Sequence, residues 1–300
     1  MNNKTFVQIR PDLINIFMHN PKGKENGFVK LSLRRLKKPF DGGIYQNFDL
    51  WRLYEAYAYE YKDGEMVETL GYPFVSKCGW ECSVAITSLR DMCGGVHGYE
   101  HQKEFFAEAD GKPIRLDAEA DLWVDSFRFY QKSVFIRQPT LDEPICNHIQ
   151  DYTFKDGIVE LAQELEWLIA CNIRFAYLTM LPIRRTHDNT ETGEVITDRI
   201  MTDLSDKVYD IEKAGHTTDI SPMANRKRGV RWAKIWGEKS GITAEVRIKR
   251  DALPDTDTFF AHNNAEYNKL YFSYAGDDGK HDTEIGEKWN QTARFELYRV

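Results

Sequence analysis

Apolar and polar residues alternate with a period of two along much of this chain. In the segment 244–249, the apolar residues Ala244, Val246 and Ile248 are separated by charged residues. The same alternation occurs in three further segments, 80–86, 270–274 and 293–297. A period of two places successive side chains on opposite faces of a strand. We therefore predict that the chain is mainly β, with few helices.

Turn signals separate the predicted strands. Asp-Gly pairs occur at Asp63-Gly64, Asp110-Gly111 and Asp156-Gly157, and a related turn is predicted at Asp277-Asp278-Gly279. Such pairs favour tight hairpins between antiparallel strands. Many strands at this spacing predict a large antiparallel β-sandwich. Because the chain has no internal repeat or linker, we predict one domain over 1–300, with a strand-rich N-terminal portion before about residue 75.

Three segments are harder to interpret. The pattern in 158–167 fits either a strand, interrupted by Gln163, or a helix, and the preceding Asp-Gly turn favours the strand. The segment 47–61 fits a helix or an aromatic strand. The polar segment 186–215 is predicted to form a long excursion from the sandwich, and excursions of that length often carry function.

Charge and hydropathy exclude some partners. The 300 residues carry a net charge of −7, which argues against a general nucleic-acid binder. The sequence has no apolar run long enough for a membrane span and no signal-peptide pattern, so we predict no membrane partner and synthesis in the cytoplasm. A phage or other particle component would show the same features. The oligomeric state stays open.

The cysteines are predicted to be free thiols. There are 5 of them, an odd number, and none forms a Cys-x-x-Cys pair. That pattern disfavours a disulfide framework and a zinc knuckle.

The segment 94–101, which reads GGVHGYEH, concentrates candidate chemistry. Three glycines free the backbone here, and two imidazoles, a carboxylate and a phenol lie beside them. Groups of these types move protons near neutral pH. We predict that this segment lines a functional site.

The same segment contains the pattern His-x-x-Glu-His of one class of zinc peptidases, formed by His97, Glu100 and His101. That zinc site needs a helix that brings both histidines to one face. Gly98 and the other glycines disfavour a helix. We therefore predict no metal site, and nothing in the sequence indicates another cofactor.

Three motifs resemble those of the galactose-mutarotase-like superfamily, which contains sugar mutarotases and related glycan-active proteins. Gly95-Val96-His97-Gly98-Tyr99 is similar to the family's Gly-x-His-Gly-Phe/Tyr turn, in which the histidine faces the sugar. The segment 175–180 is similar to the strand that carries a second histidine, and Ile285-Gly286-Glu287 resembles the Pro-Gly-Glu that opens the last strand. The resemblance covers roughly residues 80 to 300. It implies a supersandwich fold.

At the position of the second histidine, this chain has Phe175, which cannot exchange a proton. Ring-opening mutarotation would therefore lose its acid/base partner. The resemblance thus implies the architecture more than the activity, because one fold hosts many functions.

The available residue types fit β-elimination on an acidic polysaccharide. His97 is the candidate base, Tyr99 or Tyr177 the candidate acid, and Glu100 is predicted to orient an imidazole. A cation must neutralise the uronate carboxylate, and Arg184 or Arg185 is the candidate. Glycoside hydrolysis would need two facing carboxylates, and no such pair stands out.

Further predicted substrate contacts are His101, His148 and Trp232. The leading hypothesis is thus a polysaccharide lyase with an acidic polysaccharide or oligosaccharide as its partner. One alternative is a noncatalytic glycan-binding or structural module, of a phage tail or of a multidomain enzyme. A sugar epimerase is the other.

Overall fold

The fold is known from a computed structural model. It describes residues 4–38, 48–75, 80, 82–87, 92–94, 99–137, 143–190, 192–211, 229–250, 257–263, 267–275 and 281–300. The described residues form strands, turns and irregular segments, and none of them is helical. Within this part of the chain, no helix has the length and apolarity that a membrane span requires.

The first half of the chain contributes eleven of the described strands: β1 (Thr5–Arg10), β2 (Leu13–His19), β3 (Gly27–Lys38), β4 (Phe48–Lys62), β5 (Glu65–Glu68), β6 (Ser83–Ile86), β7 (Met92–Cys93), β8 (Glu100–Ala109), β9 (Lys112–Ile114), β10 (Ala120–Val124) and β11 (Phe127–Ile136). The second half contributes eleven more: β12 (Pro144–Lys155), β13 (Ile158–Trp167), β14 (Cys171–Arg184), β15 (Arg199–Thr202), β16 (Ser205–Asp210), β17 (Trp232–Trp236), β18 (Ile242–Arg250), β19 (Thr258–Asn263), β20 (Tyr267–Ala275), β21 (His281–Thr283) and β22 (Lys288–Arg299).

The strands form two sheets that make a mostly antiparallel sandwich. In the described residues, the large sheet has 16 strands in the order β10-β1-β2-β3-β4-β8-β11-β12-β13-β22-β18-β17-β15-β16, with β5 beside β4 and β9 beside β8. The small sheet has 6 strands in the order β19-β20-β14-β6-β7, with β21 beside β14. The prediction of a mainly β sandwich is confirmed.

The predicted hairpin turns have the geometry that Asp-Gly favours. In the turns β4–β5, β8–β9 and β12–β13, both residues take positive φ, as for Asp156 (51°) and Gly157 (75°). This is the turn type whose twist matches that of antiparallel strands. The predicted turn at Asp277-Asp278-Gly279 lies outside the described residues.

Two of the three ambiguous segments are strands. The segment 158–167 is β13, as predicted, and 47–61 falls largely within β4. The prediction of a long excursion over 186–215 was wrong in part, because β15 and β16 lie within it and extend the edge of the large sheet. Their polar character follows from this edge position, where the side chains of β16 are mostly exposed.

A belt of polar side chains divides the interior into two apolar clusters. Gln131, Gln150, Gln163 and Gln291 are aligned directly across the neighbouring strands β11, β12, β13 and β22, and all four are buried. On β13, Leu161 on one side of the belt belongs to the larger cluster and Leu165 on the other side to the smaller one. The belt also joins the two sheets, because Gln163 Nε2 donates to the carbonyl of Leu178 on β14 at 2.6 Å.

Candidate functional site

Glu100 lies at the start of β8 and is almost fully buried. Its Oε1 accepts hydrogen bonds from Ser133 Oγ at 2.6 Å and from His148 Nδ1 at 2.7 Å. Its Oε2 accepts from Arg52 Nη2 at 3.2 Å. The structure thus brings together two residues singled out in the sequence, Glu100 and His148, inside the protein rather than at its surface.

Both ring nitrogens of His148 face acceptors. Gln163 Nε2 donates to the carbonyl of Leu178, so Gln163 Oε1 is the atom that lies 3.2 Å from His148 Nε2. An amide oxygen only accepts, so Nε2 must carry a proton. Nδ1 faces Glu100 Oε1 at 2.7 Å, so the imidazole ring bridges Glu100 and Gln163.

The electrostatics keep Glu100 ionised. Burial alone would raise the pKa of this carboxyl group, since the charged form loses hydration. The charges of His148 and Arg52 and the hydrogen bonds from His148 and Ser133 outweigh burial, and the pKa lies below its ordinary value. Buried charges of this kind need partners on all sides. The cluster holds β4, β8, β11 and β12 together.

Of the segment GGVHGYEH, the structure describes Gly94 and the residues from Tyr99 to His101. Gly94 has a φ of 76°, and a Cβ there would lie 2.8 Å from the carbonyl oxygen of Cys82, so only glycine fits. Tyr99 is 2% exposed, and its side chain belongs to the smaller apolar cluster. His97, the candidate base, lies outside the described residues.

The described part of the His-x-x-Glu-His pattern is a strand, not a helix. Glu100 and His101 are the first two residues of strand β8. Successive residues of a strand point to opposite faces. Glu100 accordingly points into the interior, while His101 is half-buried and its Nε2 has no hydrogen-bond partner among the described residues. Within the described residues, no group of three His, Cys, Asp or Glu side chains could hold a metal ion.

Tyr177 lies on the outer face of the small sheet. Its neighbours Ala176 and Leu178 point into the smaller apolar cluster, so the tyrosine ring points away from the large sheet. The ring stacks on Phe175 at 4.6 Å between centroids and 19° between planes. It also meets the edge of Tyr271 on β20 at 4.8 Å.

Two cations accompany this aromatic surface. Lys269 Nζ lies over the Tyr271 ring at 4.9 Å from its centroid, and Arg174 lies over Phe175 at 6.0 Å. Arg174 is exposed, whereas Lys269 is largely buried. We call Phe175, Tyr177 and Tyr271, with Lys269 and Arg174, the aromatic face.

The two arginines of the 184–185 pair lie at the end of β14, where Arg184 is two residues from Pro182, the cross-strand partner of Lys269. Arg184 is seven residues from Tyr177 on the same strand, which corresponds to about 23 Å. Its Nε donates to Asn189 Oδ1 at 2.5 Å and its Nη1 to the carbonyl of Pro73 at 3.3 Å. Arg185 is 3% exposed. Burial lowers the pKa of Arg184 from its ordinary value.

Trp232 lies on another part of the surface, on β17 of the large sheet. Its Nε1 donates to Glu245 Oε2 at 3.3 Å, and Glu245 Oε1 accepts from Tyr298 at 2.8 Å and from Lys22 at 3.1 Å. The predicted site residues that the structure describes therefore do not converge. Glu100 and His148 form one group, and Tyr177 on the aromatic face, with Arg184 farther along the same strand, forms a second. The others belong to neither group: Tyr99, His101, Arg185 and Trp232.

Comparisons with known proteins report likeness of fold. The chain is similar in structure to the galactose 1-epimerase from Lactobacillus acidophilus NCFM, with a TM-score of 0.39 and 12% identity over 99% of this chain and 98% of that one. It is also similar to a family GH36 α-galactosidase from Geobacillus stearothermophilus, with a TM-score of 0.46 and 9% identity over 94% of this chain and 40% of that enzyme. A third match is a family 97 glycoside hydrolase from Pseudoalteromonas sp. strain K8, with a TM-score of 0.40 and 8% identity over 94% of this chain and 35% of the other.

These likenesses concern the fold alone and carry no argument about activity. No protein-family model matches the chain, and no curated protein matches it.

The residues that surround Glu100 and Tyr177 were not predicted from the sequence. Arg52 and Ser133 surround Glu100, while Tyr271 and Lys269 flank Tyr177. A weak signal existed for the first group, since the buried faces of β11 and β12 change from aromatic to polar at Gln131-x-Ser133 and His148-x-Gln150. The second group is formed by strands almost 100 residues apart, which no local pattern reveals.

Proposed function

We propose that the protein binds an acidic saccharide at the aromatic face of the small sheet. The observation that carries this proposal is the stacked pair Phe175 and Tyr177 beside Tyr271, with a cation at each end. A pyranose ring has an apolar face of C–H groups that packs on a flat aromatic surface. A uronate adds a carboxylate, which a lysine or arginine side chain can bind.

For an enzyme, the reaction that these residues would support is β-elimination. The carboxylate of the uronate is held by Lys269 or Arg174, which acidifies the neighbouring C–H bond. A base removes that proton, and the phenol of Tyr177 protonates the leaving glycosidic oxygen as the C–O bond breaks and the C=C bond forms. His97 is our candidate base.

The last described strand before His97 in the sequence is β7, which lies two strands from Tyr177 in the small sheet. Cys93 is paired with Val84, and Val84 is paired with Ala176, the residue before Tyr177. Two strand spacings correspond to about 10 Å.

The test is to incubate the protein with polygalacturonate, alginate, hyaluronan and heparin, and with neutral polymers as controls. Binding is followed by calorimetry, and elimination by the near-ultraviolet absorbance of the unsaturated product. Tyr177→Phe should retain binding and lose turnover, because the ring stays while the proton donor is removed. Lys269→Met should weaken binding of the acidic polymer by roughly tenfold.

Lys207→Met is the matched control, because Lys207 Nζ also lies 4.9 Å from the centroid of a tyrosine ring, that of Tyr209, but on β16 at the edge of the large sheet. If Lys207→Met impairs binding and Lys269→Met does not, the aromatic face is the wrong site. Binding with no new absorbance would favour the noncatalytic glycan-binding module. No binding to any acidic polymer would refute the proposal.

A further inference from the structure

Strands β4 and β8 form a fork in the large sheet. Among the described residues, they are paired, in parallel, at Phe48–Glu100 and Asp49–His101 and nowhere else. Beyond these pairs, β8 is hydrogen-bonded to β9 and β4 is hydrogen-bonded to β5, instead of to each other. The two strands therefore separate, and a cleft opens between them.

The cleft is a cavity of about 460 Å³ that is open to solvent. Its lining comes from both sides of the fork: Pro11, Asp12, Arg35, Trp51, Phe105, Phe106, Ile114, Leu116 and Asp117. Volumes in this range are typical of sites for small ligands. Trp51 and Phe105 form one aromatic wall, with ring centroids 5.9 Å apart.

A buried donor in the lining lacks a partner. Trp51 is 3% exposed, and its Nε1 has no hydrogen-bond partner among the described residues. The nearby His101, which is paired with Asp49 at the base of the fork, also has a ring nitrogen without a partner there. Buried polar atoms without partners are uncommon and require an explanation.

The charges around the cleft are already paired. Arg35 binds Asp49 through two hydrogen bonds of 2.9 and 3.1 Å, and Arg115 binds Asp117 through two of 2.8 and 2.9 Å. Asp12 lies 3.7 Å from Lys37. A charged ligand would have to compete with these ion pairs. A neutral ligand would instead share their remaining lone pairs and protons.

We propose that this cleft binds a neutral pyranose ring of a saccharide. The C–H face of the ring packs on Trp51 and Phe105, the carboxylates of Asp12 and Asp117 accept hydrogen bonds from its hydroxyl groups, and Arg35 donates to them. The site is separate from the aromatic face of the small sheet, and its existence does not depend on the acidic-saccharide proposal.

The test measures binding of cellohexaose, maltohexaose, mannohexaose and xylohexaose by calorimetry and by saturation-transfer NMR. At least one should bind at millimolar concentration or below. Asp117→Ala changes an exposed side chain at the rim of the cleft and should weaken that binding roughly tenfold. Trp51→Phe keeps an aromatic ring but makes the aromatic wall smaller, so it should also weaken binding.

Asp12→Asn has a matched control in Asp156→Asn. Both aspartates lie in hairpin turns with a positive φ, 55° and 51°, which asparagine tolerates, and only Asp12 lines the cleft. Asp12→Asn should reduce the affinity, and Asp156→Asn should leave it unchanged.

Three results would overturn the proposal. One is that none of the four hexasaccharides binds. Another is that binding survives all three cleft variants at full strength. The third is that binding is lost in Trp123→Ala instead, since Trp123 lines a different aromatic groove, with Phe6, Tyr59 and Tyr61. Tyr177→Phe separates the two proposals, because it should not affect the neutral saccharide.

Discussion

The side-chain amide of Gln131 pairs with the main chain of Trp51 as a neighbouring strand would. Gln131 Nε2 donates to the carbonyl of Trp51 at 2.8 Å, and Gln131 Oε1 accepts from the Trp51 N–H at 3.0 Å. Trp51 lies where β4 has separated from β8, so its main chain has no strand partner on that side. Gln131, on β11, supplies the two hydrogen bonds that this main chain would otherwise lack.

Replacing Gln131 should therefore destabilise the fold. Gln131→Leu leaves a buried N–H and a buried carbonyl without partners, and we expect a loss of roughly 2–4 kcal/mol in the free energy of unfolding. Urea denaturation measures it. Gln8→Leu, on the half-exposed face of β1, is the control and should change stability by no more than about 0.5 kcal/mol. Equal effects of the two variants would contradict this role of Gln131.

The Glu100 cluster should appear in the acid dependence of stability. Its folded pKa lies below the ordinary value of 4.5, since His148, Arg52 and Ser133 together outweigh the effect of burial. A lowered pKa contributes stability that is fully present above pH 4.5 and is lost as the pH falls through the folded pKa.

Glu100→Gln should cost roughly 3–5 kcal/mol near neutral pH, because it leaves the buried guanidinium of Arg52 without its counter-ion. The difference between wild type and variant should shrink as the pH falls below 4.5. Denaturation at a series of pH values measures it, with Glu160→Gln on the exposed side of β13 as the control. A difference that does not change with pH would refute the ionised state of Glu100.

The hairpin glycines should respond differently to one added methyl group. Gly111 and Gly157 have φ values of 73° and 75°, so alanine is strained at either position. A Cβ at Gly111 meets nothing within 4 Å, whereas one at Gly157 would lie 2.5 Å from the Cα of Asn20. Gly111→Ala should cost about 1–2 kcal/mol. Gly157→Ala should cost clearly more, and thermal denaturation of the pair provides the comparison.

The thiols should be free but slow to react. Cys82, Cys93, Cys146 and Cys171 are buried free cysteines, and Cys78 lies outside the described residues. Burial raises the pKa of Cys171 to about 11 and raises that of Cys146 as well, so little thiolate forms at pH 8. Titration of the unfolded, unreduced protein should find all 5 thiols. Finding one or three would indicate disulfides.

Much of the fold could be predicted from the sequence. Strands with one polar face, such as β13 and β18, carry the alternation that defines them. The segment 186–215 was misjudged because β16 is exposed on both faces and shows no alternation. The pattern of apolar and polar residues does not predict an exposed edge strand such as β16, which is paired with one neighbouring strand.

The candidate site was less predictable, for a physical reason. Residues that are close along the chain, such as Glu100 and His101, were predicted to share one site, whereas a strand sends them to opposite faces. The partners that matter are set by register: His148 reaches Glu100 from β12, and Tyr271 reaches Tyr177 from β20. That register is fixed only when the sheets assemble.

The polar belt has a consequence for how the sheets assemble. Sliding one strand by two residues keeps its apolar side chains inside, so alternation alone does not prevent that error. In this sheet, such a slip on β13 would move Gln163 from its place beside Gln150 and Gln291. It would then lie opposite Tyr152 and Ala293, or opposite His148 and Trp289, depending on the direction of the slip. A buried amide would then lose its partners, at a cost of roughly 1–3 kcal/mol. The four glutamines therefore act as an alignment mark, which distinguishes the correct pairing from neighbouring pairings that would bury the same amount of hydrocarbon.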